Sequence, residues 1–97
     1  MRPKVKISSA RDRRWVKKVK GRYDEWCQLC GSTQGLQVHH IEEKGGKPEW
    51  RYALENGIVL CWQCHTKVHS NPSILSSILD LEDLHDRLLN NEFEEVL

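Results

Sequence analysis

Apolar residues recur along this chain with two periods. Trp15, Val19 and Tyr23 return at every fourth position, with Val16 beside them, which predicts a helix over residues 9–23. Ser8 or Ser9 can cap its start, and Gly21 can end or weaken it. The segment 36–41 alternates, which predicts a strand with Leu36, Val38 and His40 on one face. Residues 58–61 are a short β-branched run and read as a second strand, after the turn signal Asn56-Gly57. Residues 49–55 show no clear period. A helix is expected from Gln63 to about Ser70, ended by Asn71-Pro72. Another is expected over 73–90, with Asn71 as cap and Pro72 in its first turn. Ile74, Leu75, Ile78, Leu81, Leu84, Leu88 and Leu89 form its stripe, for packing or for a dimer seam. Asn90-Asn91 breaks that helix, and 92–97 read as a short tail.

With 97 residues the chain is one small domain, marginal on burial alone. Its longest apolar run is residues 58–62, too short to span a bilayer. Its start lacks the apolar segment of a secretory signal, so a cytoplasmic location is expected. The net charge of +1 conceals an uneven distribution. Residues 1–22 carry ten Lys or Arg against one Asp, whereas residues 71–97 carry seven acidic residues against one Arg. Arg11, Arg14, Lys17, Lys18 and Arg22 share the polar face of the first helix. They can track a phosphate backbone, or they can pair with the acidic C-terminal segment.

The cysteines form two pairs, Cys27-Gln-Leu-Cys30 and Cys61-Trp-Gln-Cys64. Two intervening residues let both thiolates of a pair reach one metal, and two pairs supply a tetrahedral structural zinc. Zinc also suits the small size, because its binding free energy becomes folding free energy. Four histidines, His39, His40, His65 and His69, are surplus to a metal already closed by cysteines. His65 and His69 stand one helical turn apart, where two imidazoles can share an ion. Surplus imidazoles suit a second, open metal site or general-base chemistry near neutral pH. His85, alone in an acidic stretch, reads as a surface or edge histidine.

The segments "VHHI" and "PEWRYALENGIVLCWQCHTKVH", with the interleaved cysteine pairs, resemble the HNH endonuclease family over about residues 27–69. The Pro-Glu-Trp-Arg-Tyr run is similar to small phage-type HNH nucleases. The resemblance implies a small α+β fold: a ββα-metal module with a four-cysteine structural zinc, flanked by N- and C-terminal helices. On that division, residues 1–26 are a basic helix or arm, 27–70 the zinc knuckles and metal core, and 71–97 a helix and tail. It implies a divalent ion on His39, His65 and His69, with His40 as general base. It implies that Asn56 holds the loop and the histidine-bearing strand. Mg²⁺, Mn²⁺, Ni²⁺ and Zn²⁺ are all candidates, since an imidazole at residue 39 favours the softer ions.

The activity so implied is DNA phosphodiester hydrolysis to 5′-phosphate and 3′-hydroxyl ends. A monomer or weak dimer that nicks with little sequence preference is expected. A phage homing or packaging role, in the host cytoplasm beside packaging proteins, is also expected. Arg51 is a candidate for the scissile phosphate, or else an ion pair of the fold. Lys44 and Lys47 can touch DNA, while Glu42 and Glu43 read as solvated or supporting the site. Trp26 and Trp62 read as core, and Trp50 as the aromatic nearest a ligand groove. Adjacent strand residues face opposite ways, so His39 and His40 cannot both face the helix from a regular strand. The resemblance favours a strand that bends or ends there. The alternative function is a non-catalytic zinc-stabilised DNA-binding module. A third reading makes both sites structural zincs, with His40, Glu42 or Glu43 as a fourth ligand.

Overall fold

The computed structural model describes residues 9–23, 25–42 and 48–97. Ser8, Glu43, Lys44 and Lys47, singled out above, lie outside them. Helix α1 (Ala10–Arg22) starts at Ser9, whose hydroxyl accepts from the Asp12 amide while the Asp12 carboxylate accepts from the Ser9 amide. Gly21 does not end the helix, which runs on through Arg22. Strands β1 (Leu36–His40) and β2 (Gly57–Cys61) form an antiparallel hairpin, pairing Leu36 with Cys61, His39 with Ile58 and His40 with Gly57. Helix α2 (Trp62–Ser70) follows directly, its first turn capped by the Cys61 sulfur, which accepts from the Cys64 amide.

The hairpin lies between two helices. Val59 of β2 packs with Trp15 and Val19 of α1. Ile58 and Leu60 pack on the other side, with Cys64 and Val68 of α2. A strand covered on both faces needs no polar alternation, which is why 58–61 is apolar throughout. Gly57 is not the turn residue expected from Asn56-Gly57. Its φ of −115° suits any residue. A Cβ there would lie 2.7 Å from Trp15 Cζ2 and 2.6 Å from Val19 Cγ2, so glycine is what lets α1 seat on the hairpin. The aperiodic stretch before it consists of two 3-10 turns, Pro48–Tyr52 and Leu54–Asn56.

The long helix expected over 73–90 is two elements, a 3-10 segment at Pro72–Ser77 and helix α3 at Leu81–Leu89. Ser76 and Ser77 donate to the carbonyls of Ser73 and Ile74, tightening the first segment. The Asp80 carboxylate then caps α3 by accepting from the Asp83 amide at 3.0 Å. Pro72 sits in the first turn as expected, but Asn71 makes no side-chain cap bond to a backbone amide. The apolar stripe packs on its own chain, Leu75 with the α2 core and Leu84 and Leu88 with Trp50 and Ala53.

The C-terminal segment is not a loose tail. Val96 is buried and its amide donates to the Tyr52 carbonyl, while the Leu54 amide donates to Glu94. Arg11 pairs with Glu95, Lys18 with Glu94, and Arg14 donates to the Leu97 carbonyl. Arg22 donates to the Leu54 carbonyl. Four of the five cations on the polar face of α1 are thus engaged within the chain, two of them with acidic residues of the C-terminal segment.

The tryptophans are also redistributed. Trp26 and Trp62, expected in the core, are 49% and 57% exposed. Trp62 opens α2 with its ring against Gly35. Trp50, expected near a ligand groove, is buried, with its ring edge-on to His85. His85 in turn faces the Glu42 carboxylate at 3.5 Å, as an edge histidine. Among the described residues no helix is long and apolar enough to cross a membrane.

Candidate active site

The four cysteines converge although 30 residues lie between the pairs. Their sulfurs lie within 4.8 Å of one another, with Cys30 Sγ and Cys61 Sγ 3.6 Å apart. A tetrahedral zinc with ~2.3 Å bonds places its sulfurs about 3.8 Å apart, so the donor set fits. The amides of Cys30 and Cys64 point at the sulfurs of Cys27 and Cys61, each at 3.5 Å. Burial works against a Cys27 thiolate, yet backbone amides of Cys61, Cys30 and Leu29 outweigh it and bring its pKa to about 6. Burial and the neighbouring thiols push Cys64 up instead. A cluster whose sulfurs resist ionising together is one that a dication stabilises.

A second cluster stands on the α2 side of the hairpin. One ring nitrogen each from His39, His65 and His69 lies within 4.8 Å of the others. His39 is buried and meets His65 and His69 edge-on, with centroids 5.0 and 5.1 Å away. The Nε2 atoms of His65 and His69 are 3.0 Å apart, as the one-turn spacing predicts. Three imidazoles leave coordination positions open, unlike the four thiolates.

His40 is placed differently. β1 does not bend: it stays paired through His40–Gly57, so His39 and His40 leave it on opposite faces. The His40 ring lies flat against Trp15 of α1, centroids 4.2 Å apart and planes 6° apart. Its Nε2 is 2.9 Å from the Arg51 carbonyl oxygen. That oxygen can only accept, so Nε2 carries the proton and Nδ1 keeps the lone pair. Neither His40 nor Glu42 joins the three-histidine cluster, which removes them as its fourth ligand.

Asn56 is fully buried and spans the loop's two ends. Its Oδ1 accepts from the Glu42 amide at 2.7 Å, and its Nδ2 donates to the carbonyls of Glu42 and Trp50, both at 3.0 Å. The Arg51 guanidinium is on Asp12, with Nε–Oδ1 and Nη2–Oδ2 both 3.1 Å. That pairing holds the Asp12 carboxyl well below the usual carboxylate range, against the opposing effect of burial.

The HNH endonuclease family model matches residues 27–71. Residues 27–71 are an HNH endonuclease domain. The match begins at the first residue of the four-cysteine cluster and ends just after α2, so it covers the hairpin, both clusters and the helix that closes them. HNH endonucleases hydrolyse phosphodiester bonds, and this domain is accordingly a nuclease. No match was found among curated proteins or among solved structures.

One residue of the HNH domain was missed in the sequence. Gln37 shares the α2 face of β1 with His39, and its Oε1 accepts from His65 Nδ1. This fixes the proton on Nδ1 and leaves the His65 Nε2 lone pair for the cluster. The two-residue period of the strand contained that signal. Gln37→Leu is expected to weaken Mn²⁺ binding at the histidine cluster about 10-fold to 100-fold. Calorimetric titration of zinc-loaded protein checks it, with unchanged zinc content as the control.

Proposed function

We propose that the domain hydrolyses DNA with a divalent ion held by His39, His65 and His69 and with His40 as general base. The observation that carries this reading is the division of the histidines. Three imidazoles gather on one face of β1, and a fourth, with its Nδ1 lone pair available, stands on the other. When bound, the ion supplies Lewis acidity and positive charge at the scissile phosphate.

His40 Nδ1 takes a proton from the attacking water as its oxygen bonds to phosphorus. The phosphorus–O3′ bond breaks and the departing oxygen gains a proton from solvent, leaving 5′-phosphate and 3′-hydroxyl ends. His65 is oriented by Gln37, and Asn56 keeps the loop closed onto the strand that carries both histidines. A phosphate at Arg51 would compete with Asp12 for the guanidinium, so Arg51 enters this reading through its carbonyl.

One site per chain cuts one strand at a time, so the reading extends to nicking by a monomer. Contacts addressed to phosphate rather than to base edges give weak sequence preference. A phage homing or packaging setting follows only from the similarity to small phage-type HNH nucleases. A non-catalytic zinc module would leave the open three-histidine cluster and the oriented His40 without a use.

Treatment with EDTA mild enough to leave the cysteine-bound zinc is expected to stop cleavage, and Mn²⁺, Mg²⁺, Ni²⁺ or Zn²⁺ to restore it. Ends that accept label from polynucleotide kinase only after phosphatase treatment are the expected product. Cleavage that persists under this treatment contradicts the reading.

A further inference from the structure

We propose that α1, which lies outside the residues matching the HNH family, positions the general base through Trp15 and Asp12. The inference rests on the reading of His40 given above. It starts from two contacts that together fix the imidazole. Stacking on Trp15 sets the plane of the ring, and the bond from Nε2 to the Arg51 carbonyl sets its rotation within that plane. With both in place, the direction of the Nδ1 lone pair is determined. Neither contact comes from the strand that bears His40.

Each contact leads back to α1. Trp15 is buried, and its Nε1 donates to the Ala53 carbonyl at 2.8 Å, so the indole cannot swing. Its six-membered ring lies over Gly57, the residue opposite His40 in the hairpin, where no larger residue fits. Arg51 is held by both oxygens of Asp12, and Asp12 by the capping box that starts α1. Asp12 and Trp15 are three residues apart and share one face of the helix. A helix that merely covered the core would need an apolar side chain at position 15. It would not need a parallel ring on His40 or a carboxylate fastening the segment whose carbonyl orients that ring. Active groups must be held within about 0.5 Å and 10–20° of productive geometry, which two orthogonal restraints achieve.

The experiment compares wild type, Trp15→Leu, Trp15→Phe, Asp12→Asn and His40→Ala, each with zinc content and melting measured. In ¹H–¹³C spectra without added second metal, the His40 ring protons are expected upfield, displaced by the indole. The displacement should vanish in Trp15→Leu and persist in part in Trp15→Phe. In single-turnover cleavage of supercoiled plasmid, Trp15→Leu should slow the cleavage step by up to about 10²-fold with DNA affinity unchanged. Trp15→Phe should recover most of that rate. Should Trp15→Leu not fold, Asp12→Asn decides: the change is isosteric and lies outside the apolar core, and a slower cleavage step with unchanged affinity is expected. Wild-type cleavage by folded Trp15→Leu, or by Asp12→Asn in its place, overturns this inference alone when His40→Ala is inactive. An active His40→Ala overturns the reading of the base, and this inference with it.

Discussion

Cys61→Ser is expected to leave the protein largely unfolded, whatever metal is supplied. Cys61 ends β2, caps α2 and contributes its sulfur to the four-cysteine cluster. The cluster joins two segments far apart in the sequence, Cys27–Cys30 and Cys61–Cys64. Cys27, Cys61 and Cys64 are also part of the core that contains Ile58, Leu60 and Val68. Structural zinc in small modules contributes roughly 10–16 kcal/mol of apparent binding free energy, comparable with or above the roughly 5–15 kcal/mol that separates a folded domain from its unfolded chain. Stripping zinc with a strong chelator should have the same consequence as the substitution. Far-ultraviolet circular dichroism with zinc quantified in parallel checks both. A cooperative melt unchanged after complete zinc removal would show that the sulfurs are not a structural centre.

His40→Ala is expected to abolish cleavage for a different reason, with the fold intact. The imidazole is half-buried at the end of β1, and removing it leaves Trp15 fixed by its bond to Ala53. Neither metal cluster uses His40, so zinc content and Mn²⁺ binding should be unchanged. A positioned general base is worth about 10²–10⁴ in rate, which sets the expected loss. Fluorescence anisotropy with labelled duplex DNA should give the wild-type affinity, because no phosphate-neutralising charge has been removed. The effect is therefore confined to the cleavage step, unlike that of Cys61→Ser.

The convergence of the four cysteines, and of His65 with His69, was legible in the sequence because local geometry dictates it. Two residues between cysteines and three between His65 and His69 fix which atoms can converge, whatever the rest of the chain does. The strand alternation was also legible, and it correctly put His40 on the face of Leu36 and Val38, away from His39. The resemblance favoured a strand that bends or ends at the histidines; β1 ends at His40, unbent and still paired with Gly57, so the two histidines leave it on opposite faces.

What remained hidden depends on partners distant in sequence or on side chains competing for the backbone. Arg11 and Glu95 are 84 residues apart, and opposite charges at the two ends did not reveal which would meet. The apolar stripe of 73–90 continues past the break at Asp80, because 3-10 and α segments both bring residues three apart to similar faces. The serine hydroxyls and the Asp80 cap, rather than hydrophobic period, divide it. Trp15 looked like a core residue, and it is, whereas Asp12 carried no signal of its own. That α1 carries both to the His40 side of the hairpin is a tertiary fact that no local pattern announces.

The most direct test is a supercoiled-plasmid assay of wild type and His40→Ala side by side, in EDTA and with each candidate metal. Conversion to open circle by wild type only when metal is present, and by His40→Ala under no condition, is the expected result. No cleavage by folded, DNA-binding wild type with any metal, or equal cleavage by His40→Ala, would contradict the account.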